Sequence, residues 1–313
     1  MTEINDIYDC TSKKLSIVVA AHNLEELILK CVNTIKHTLS DCDPKEYEVL
    51  LIDDSSSDST PSILKKFSEE NESFVYIRKE FRNLGKVKKY SVEISRGEYI
   101  TFVDGDDFLS DFSMKEILDF LEYRKPDIFI SQLNEVRKNT DIIEKSRLSP
   151  PIKLHKNSAI KEFLIHRKFQ AHSAGKFFRK ELFCGNNFSE ISYYEDALSF
   201  PSFLVKCNSI YYTNMKYYNY IKRENSLSNS INEEKVNVMA EVILITDETF
   251  GKDFRNLTAC HAIELIYKYE NKLSKEYFDS IYQIVKNLSI LRFMLDSNVR
   301  FSFKRKFMKI RKK

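Results

Sequence analysis

A regular alternation of strand and helix patterns over the first 133 residues is the strongest constraint on the fold of this chain. The first two strand-like runs are continuously apolar, which is typical of strands that are covered on both faces. Strands are predicted at residues 15–21, 47–52, 74–79, 99–103 and 127–133, and helices at 27–39, 60–67, 87–95 and 113–123. This order predicts βαβ units with right-handed crossovers, and therefore an α/β fold with a mostly parallel sheet between helices.

Two of the predicted helices begin with recognisable start signals. Thr60 is the expected N-cap of the second helix, with Pro61 at its first position, and "SMKE" from Ser113 to Glu116 forms a capping box. Beyond residue 133 the alternation ends. Short helices are predicted at 159–166 and 176–183, and a helical C-terminal region at 233–295.

Charge is unevenly distributed along the chain. Residues 299–313 contain eight of the 49 basic residues and no acidic residue, so the remainder, which carries all 46 acidic residues, is net negative. The rest of the chain has no basic groove pattern, and no nucleic-acid partner is expected. Val299, Phe303, Phe307 and Ile310 fall on one face of a basic amphipathic helix. This tail is predicted to dock at an anionic membrane surface; the alternative is that its apolar face packs on the protein body.

The six cysteines are scattered and include no C-x-x-C pair, which indicates free thiols in a reducing compartment rather than disulfides or a zinc site. The apolar run after Lys14 is too short for a signal peptide, and no run approaches the ~20 residues that span a bilayer. A cytoplasmic protein is therefore expected.

Polar residues follow three of the predicted strands, in "AAHN", "IDDSSSDST" and "VDGDDF". The carboxyl ends of parallel strands meet at one edge of a sheet, where ligands bind. Five carboxylates would gather there, from Asp53, Asp54, Asp104, Asp106 and Asp107. Because these groups would repel one another, the predicted ligand is Mg²⁺ or Mn²⁺ bridging to a phosphate-bearing substrate. Gly105 would let both neighbouring carboxylates point at one position; the alternative is that these stretches are ordinary turns and helix caps.

Four stretches resemble, in order and spacing, the successive motifs of family 2 glycosyltransferases: "LSIVVAAHN", "YEVLLIDDSSSDST", "RNLGKVKKYSVEISRGEYITFVDGDDFL" and "YYEDALSF". The resemblance is strong over residues 13–110, weaker to about 228 and absent beyond. It implies a nucleotide-sugar-dependent enzyme with the GT-A fold, a Rossmann-like sheet flanked by helices. The expected domains are a catalytic domain at 1–228, with a nucleotide half at 13–133 and an acceptor half at 134–228, and a helical region at 229–313.

The resemblance implies that the nucleoside pocket is formed by the loops after the first three strands. Ala21, His22, Asn23 and Asp54 would line this pocket, and Arg82 would contact the base. The alternative for the "RNLGK" stretch is a loop that only enters a helix, with the asparagine as its cap. His22 stands where the family commonly has tyrosine, and a packed imidazole is the alternative to a role in binding.

The resemblance also implies a D-x-D pair in "VDGDD". Asp104 would reach the ribose or the metal, and Asp106 would hold Mn²⁺ or Mg²⁺ on the diphosphate, whereas Asp107 has no assigned ligand. The ion would neutralise charge on the departing nucleoside diphosphate.

The acidic pair of "ISYYEDALSF" resembles the E-D motif of the family. Asp196 is therefore the predicted catalytic base, supported by Glu195. Shielding by Tyr193, Tyr194 and Phe200 would raise the pKa of this aspartate above its ordinary ~3.9. The alternative is that both acids only stabilise the first turn of a helix.

Three basic residues are further candidates by resemblance. Arg223 in "YYNYIKRENSLS" would clamp the diphosphate bidentately. Lys176 would contact the nucleotide-sugar and His172 the acceptor, since "HSAGKFFRKELF" resembles a loop that borders the acceptor pocket. The alternative for Lys176 and His172 is a solvated side chain.

The residues and the resemblance together predict an inverting glycosyltransferase. It would move a hexose or N-acetylhexosamine from a UDP-sugar to a hydroxyl of a growing, lipid-linked bacterial surface glycan, such as an O-antigen, capsule or lipooligosaccharide. It would lie peripherally on the cytoplasmic face of the inner membrane, with its oligomeric state open. The alternatives are a non-catalytic nucleotide-sugar-binding module and a sugar-nucleotide pyrophosphorylase, although "AAHNLEELILK" lacks the glycine-rich phosphate loop of the latter.

Overall fold

The structure is a computed structural model that describes residues 13–223 and 231–311. The strands are β1 (Lys13–Ala21), β2 (Tyr47–Asp54), β3 (Phe74–Lys79), β4 (Gly97–Asp104), β5 (Phe108–Leu109), β6 (Ile128–Ile130), β7 (Leu133–Val136), β8 (Ile152–Leu154), β9 (Lys176–Arg179), β10 (Ile210–Tyr212) and β11 (Tyr218–Ile221). The helices are α1 (Ile28–Thr38), α2 (Thr60–Glu69), α3 (Leu84–Ile94), α4 (Met114–Arg124), α5 (Lys156–Leu164), α6 (Glu195–Lys206), α7 (Glu233–Phe250), α8 (Arg255–Tyr269), α9 (Lys275–Lys286), α10 (Ile290–Leu295) and α11 (Phe301–Ile310).

The central sheet has eight strands within the described residues, in the order β3-β2-β1-β4-β9-β6-β10-β8. The first four strands of the chain are mutually parallel, as predicted, because a helix connects each of them to the next. Strand β9 is antiparallel to both of its neighbours, and β8 is antiparallel to β10. The α/β class with a mostly parallel sheet is therefore confirmed.

Three local predictions from the sequence are wrong. Residues 176–183 are not a helix: the first four form β9, which fills the gap between β4 and β6, and only Lys180–Phe183 is a short 3-10 turn. The strand predicted at 127–133 divides into β6 and the start of β7, which belong to different sheets. Ser59, not Thr60, occupies the N-cap of α2, because the Thr60 hydroxyl accepts a hydrogen bond from the Leu24 N–H.

A second, three-stranded sheet has the order β5-β11-β7. Strand β11 pairs antiparallel with β5 and parallel with β7. Because β5 begins directly after the "VDGDD" stretch and β11 ends just before Arg223, this pairing brings together segments that lie far apart in the chain.

Helices cover both faces of the central sheet. One face packs on α1, α2 and α4 through residues such as Ile28, Leu64 and Ile117. The other face packs on α3, α5, α6 and the C-terminal helices in one continuous core, which contains Val18 and Phe102 from the sheet. The predicted domain boundary at 228/229 lies outside the described residues, and the division into two domains stays a prediction.

The predicted membrane-facing side of the tail is instead packed inward, so this prediction is wrong in its choice of face. Val299, Phe307 and Ile310 are buried, and the Phe307 ring lies 4.7 Å from that of Phe293. Lys306 of α11 forms an ion pair with Glu264 of α8. The alternative, a helix that packs on the body, is the one observed. This packing is favourable because it removes the apolar stripe from water. Within the described ranges, every helix is too short or too polar to cross a bilayer.

Gly97 permits the close approach of β4 to β1. A Cβ atom at this position would lie 2.3 Å from the Ser16 nitrogen and 2.6 Å from the Leu15 carbonyl carbon, and neither backbone atom can move independently of the sheet. We therefore expect Gly97→Ala to lower the free energy of unfolding by about 1–3 kcal/mol, the usual cost of overpacking a core. Urea unfolding measures this loss. The control is Glu98→Ala at the exposed neighbour; equal losses in both variants would contradict the steric explanation.

Candidate active site

The loops after β1, β2 and β3 are joined by hydrogen bonds at the carboxyl edge of the sheet. The Asp54 carboxylate accepts hydrogen bonds from the backbone N–H groups of Phe81, Arg82 and Asn83, at 2.6–2.9 Å. The Asn83 side chain in turn caps α3 by accepting from the Lys86 N–H. Asp54, predicted to lie near the nucleoside, thus anchors the loop that carries Arg82. The Asn83 cap of the alternative for "RNLGK" is observed, and the contact of Arg82 with the base stays a prediction.

Ala21, His22 and Asn23 lie at the end of β1 and in the loop that follows. Ala21 is buried, whereas His22 and Asn23 are exposed, so the alternative of a packed imidazole is not observed. The His22 Nδ1 atom lies 2.6 Å from the Asp54 carbonyl oxygen, and the Asn23 N–H donates to the Ser56 hydroxyl. These contacts bring the predicted nucleoside-pocket residues of β1 and β2 together.

The five predicted carboxylates do not form one cluster. Asp53 is fully buried, accepts a hydrogen bond from the Ser56 N–H and lies 3.2 Å from the Arg78 guanidinium. Asp53 and Asp54 are therefore engaged by the loops around them, and the acidic turn after β4 remains as the candidate metal site.

Asp107 fastens this acidic turn to the second sheet. Its buried carboxylate accepts hydrogen bonds from the Tyr218 hydroxyl (2.9 Å) and the Ile221 N–H (2.7 Å). The same hydroxyl accepts a hydrogen bond from the Asp104 N–H at 3.0 Å. Burial, with the nearby charge of Asp104, raises the pKa of Asp107 to about 8. Asp107 thus has a structural role, because it joins the acidic turn to β11. Sequence reasoning missed Tyr218, which takes part in this contact.

The two acids of the D-x-D pair face different cavities. Asp104 lines a cavity of about 470 Å³ that also contains Asp196, whereas Asp106 lines a smaller cavity of about 200 Å³ and forms an ion pair with Arg223. Arg223 forms an ion pair with Asp106, and its positive charge also acts on Asp104, so the prediction that both carboxylates point at one position stays a prediction. The part of the predicted diphosphate-closing segment beyond Arg223, residues 224–228, lies outside the described residues.

The turn nevertheless offers ligands of the kind that a divalent cation prefers. Among the described residues, no group of three or more His, Cys, Asp or Glu side chains surrounds one point. An ion of the Mg²⁺ type does not need such a cage, since it is usually held by one or two carboxylates with substrate phosphates and water. Asp106 is partly exposed and faces a positive charge, that of Arg223. Its carboxylate thus stands where a cation is favoured, and it fits an ion that takes its other ligands from a diphosphate and water.

Asp196 and Glu195 begin α6 and are held by a buried lysine, Lys88 of α3. The Lys88 Nζ atom lies 2.7 Å from a Glu195 oxygen and 2.8 Å from an Asp196 oxygen. The other Asp196 oxygen accepts a hydrogen bond from the Ser173 N–H at 2.9 Å. Burial by itself would raise the pKa of Asp196, but the charge and hydrogen bond of Lys88, together with the hydrogen bond from the Ser173 N–H, outweigh it and lower the pKa. The prediction that surrounding aromatic residues raise this pKa is therefore wrong in direction.

Burial raises the pKa of Glu195, and Lys88 offsets this shift only in part. The pKa of Lys88 itself is raised: burial would lower it, but the two carboxylates dominate. At neutral pH Asp196 is thus ionised and has a permanent cation, Lys88, beside it.

Lys176 and His172 lie beneath this cluster rather than in solvent. Lys176 is buried, donates a hydrogen bond to the His172 carbonyl oxygen, and has a pKa lowered to about 7, chiefly by burial. Burial and the charge of Lys176 lower the pKa of His172 to about 4, so its imidazole is neutral. The His172 ring lies 5.8 Å from the ring of Tyr220. Their alternative of solvated side chains is not observed, and their predicted ligand contacts stay predictions.

The 470 Å³ cavity has a wall that contains both predicted acids, Asp104 and Asp196, together with Lys88, Tyr193 and Tyr194. The same wall includes α5 and the C-terminal helices, through Phe163, Ile243 and His261. Sequence reasoning missed Lys88. Its position four residues after Leu84, on the buried side of α3 that also carries Ser91 and Val92, indicates a buried lysine but not its partners.

Comparison with protein families and curated sequences supports the resemblance. The family model described as Glycosyl transferase family 2 matches residues 16–184, more than half of the chain. A poly(ribitol-phosphate) beta-glucosyltransferase of Bacillus spizizenii is 29% identical over 167 residues, which cover 48% of this chain and 26% of that protein. Glycosyltransferase GlyA of Streptococcus pneumoniae is 24% identical over 74% of this chain and 34% of its own length. The match thus spans about a quarter to a third of these relatives.

Solved structures share the fold at low sequence identity. A Staphylococcus aureus TarS structure of residues 1–349 in complex with UDP-GlcNAc has a TM-score of 0.71, with 20% identity, and covers 96% of this chain and 87% of that one. A mannosyltransferase of Pyrobaculum calidifontis in complex with GDP-Man and Mn²⁺ has a TM-score of 0.52, with 14% identity, over 96% of this chain and 75% of that one. The family match and the shared architecture lead to one conclusion: the chain belongs to glycosyltransferase family 2 and has the GT-A fold.

Proposed function

We propose that the protein is an inverting glycosyltransferase that transfers a hexose or N-acetylhexosamine from a UDP-sugar to a hydroxyl of a bacterial surface glycan. The observation that carries this proposal is the shared cavity, in which Asp104, at the end of β4, and the ionised Asp196, at the start of α6, line the same 470 Å³ space. A donor bound at the acidic turn and an acceptor beside Asp196 would meet there.

The proposal of a UDP-sugar donor rests on the loops after β1, β2 and β3 and on the ligands of similar solved structures. Asp54 holds the loop with Arg82 beside the loop with His22 and Asn23, which leaves a rim of exposed polar groups for a nucleoside. The TarS structure contains UDP-GlcNAc, which favours a uridine nucleotide over the GDP-Man of the archaeal mannosyltransferase.

The proposed cofactor is Mn²⁺ or Mg²⁺. Asp106 would hold the ion, with Asp104 as the second carboxylate of the pair, and Arg223 would move from Asp106 to the diphosphate oxygens that it can pair with bidentately. When bound, the ion would neutralise charge on the leaving diphosphate. The Mn²⁺ in the mannosyltransferase structure supports this assignment.

Asp196 is the proposed base. The acceptor oxygen attacks the anomeric carbon, the bond from that carbon to the diphosphate oxygen breaks, and the nucleoside diphosphate leaves with the electron pair. The acceptor proton passes to the Asp196 carboxylate, which Lys88 and the Ser173 N–H keep ionised and oriented. A single displacement inverts the anomeric centre, so an α-linked donor gives a β-glycoside.

The acceptor is proposed to be a lipid-linked glycan or polyol phosphate polymer. The name of the Bacillus relative, which acts on poly(ribitol-phosphate), supports a polymer of the bacterial surface. A non-catalytic nucleotide-sugar-binding module is the alternative, and it would bind UDP without transfer.

We expect Asp196→Asn to lower the rate of sugar transfer by about 10²–10⁴-fold, because it removes the proton acceptor. Binding of UDP in the presence of Mn²⁺ should stay unchanged in this variant. Asp106→Ala should instead abolish the Mn²⁺-dependent part of UDP binding. Isothermal titration with UDP and transfer from a panel of UDP-sugars to purified wall or capsule polymers measure the two effects.

The matched control is Asp111→Asn, at a partly exposed acid close to the same turn. Transfer by wild type together with full activity in Asp196→Asn would contradict the role of this residue. UDP binding without any transfer by wild type would favour the non-catalytic alternative.

We propose that the membrane contact is made by the outer face of α10 and α11, not by the inner face that the sequence predicted. Leu291, Leu295 and Phe301 are 69%, 73% and 77% exposed. A shallow groove between the two helices is lined by Phe301, Met308 and three basic residues, Lys304, Arg305 and Lys309. Exposed apolar side chains with basic neighbours complement an anionic lipid surface.

We expect the full chain to co-sediment with vesicles that contain phosphatidylglycerol and not with vesicles of phosphatidylcholine alone. A Lys or Arg near an anionic surface contributes about 1 kcal/mol, so Lys304→Glu with Arg305→Glu should weaken binding at least about tenfold. Phe301→Ser should weaken it as well. Tyr123→Ser, at an equally exposed aromatic residue on α4, is the control and should bind as wild type does. Unchanged binding of the α11 variants would overturn this assignment.

A further inference from the structure

We propose that Lys88 is a positioning residue for sugar transfer: it holds Glu195 and Asp196 against the donor-side helix α3, so that the candidate base takes its position from the donor site. The inference deepens the proposed function and rests on it. Lys88 of α3 thereby joins the candidate site residues of the acidic turn and of the acidic pair Glu195 and Asp196.

The first support is the geometry of the contact. Lys88 Nζ reaches both carboxylates at 2.7 and 2.8 Å, and its side chain is only 3% exposed. A buried lysine in contact with two acids is not a solvated surface charge. Such groups stabilise a fold little relative to apolar residues, yet removing one partner leaves unpaired buried charge. Removing Lys88 would therefore leave two buried carboxylates without the cation that holds them in position.

The second support is the way in which α6 begins. Tyr194 precedes the helix with φ +60°, in the left-handed region, and no side chain caps the helix start. The first-turn acids Glu195 and Asp196 would repel each other in this buried setting. Lys88, from another helix, supplies the charge that holds them together. Without it, the Asp196 carboxylate would keep only the Ser173 N–H as a hydrogen-bond donor within residues 13–223 and 231–311.

The third support is that the start of α3 contacts the segment before α6 at several residues, not only through Lys88. The Asn83 side-chain amide donates to the Glu190 carbonyl oxygen at 2.8 Å and to the Ser192 hydroxyl at 3.2 Å. Gly85 lies so close to this segment that a Cβ atom would be 1.9 Å from the Ser189 carbonyl oxygen. The start of α3 and residues 189–196 thus form one packed unit.

This unit continues into the donor side. The loop that enters α3 is the one that Asp54 anchors through three backbone N–H groups. A movement of that loop on donor binding would reach Asp196 through α3 and Lys88. Four other groups face Asp196, namely Asp104 from β4, Glu195 from α6, and His172 and Lys176 from β9 and the loop before it. In the part of the chain that the structure describes, only Lys88 connects Asp196 by a hydrogen bond to α3, the helix that follows this loop.

The chain offers a matched control in the next residue. Lys89 is a partly exposed lysine of α3 that forms an ion pair with Glu190 of the same facing segment, at 2.6 Å. Exposed pairs of this kind contribute little to stability. Lys89→Met therefore removes a lysine from the same helix and the same interface without touching the candidate base.

The experiment compares Lys88→Met, Lys88→Arg and Lys89→Met in steady-state transfer with varied UDP-sugar. Misplacement of a reacting group by about 1 Å can cost about 10²-fold in rate. We expect Lys88→Met to lower kcat by about 10- to 100-fold with little change in the KM for the UDP-sugar or in UDP affinity. Lys88→Arg should recover part of kcat because it keeps the charge, and Lys89→Met should match wild type.

If Lys88→Met fails to fold, the double variant Lys88→Met with Glu195→Gln takes its place in the comparison. This variant leaves only one carboxylate, that of Asp196, without its cation. An unchanged kcat, a loss that Lys88→Arg does not relieve in a folded protein, or a rise in KM equal to the fall in kcat would overturn the inference. If wild type and Lys88→Met transfer sugar at the same rate, this inference fails and the proposed function stands. If wild type transfers no sugar to any acceptor, the proposed function fails, and this inference falls with it.

Discussion

Charge compensation across the sheet edge is the interaction on which the candidate site depends. The acids of the site are partly or fully removed from water. Asp54, Asp106, Asp107, Glu195 and Asp196 are each balanced by a cation or by hydrogen-bond donors from a distant segment. Lys88 balances Glu195 and Asp196, and Arg223 balances Asp106. An uncompensated carboxylate in such a place would become protonated or would force the loops apart. The arrangement of the loops is therefore set by where these two cations reach.

Acids of the same type play different parts because their partners differ. Asp54 is satisfied by three backbone N–H groups and serves as an anchor for a loop. Asp107 is buried against Tyr218, and its raised pKa favours the protonated form. Asp196 keeps a lowered pKa because a lysine lies beside it. Only the last is ionised and close to a large cavity, which is the state that proton abstraction requires.

The C-terminal helices connect the site to the surface of the protein. Helices α7 and α8 contribute Ile243 and His261 to the wall of the cavity. Their neighbours α10 and α11 bury one apolar stripe in the same core and expose a second one. A single region therefore shapes part of the cavity and presents a basic, apolar face outward.

The sequence by itself determined the parallel strands β1–β4, the helices between them, the Ser113 cap of α4 and the placement of polar residues at the strand ends. These features follow from local periodicity, turn residues and the rule that parallel strands end at one edge. Motif order was enough to identify the family. Asp196, Asp104 and Asp106 could be selected for the same reason, since each lies in a short stretch with its own pattern.

Only the tertiary structure decided which partner each polar group has. The segment "KFFR" became a strand because β4 and β6 leave room for one, although its local pattern suits a helix equally well. The tail turned Phe307 inward because a core was available to cover it. Lys88 met Glu195 and Asp196 across more than a hundred residues, and no local signal encodes such a contact. Burial and long-range charge pairing are properties of the assembled fold, and they determine the ionisation of the site.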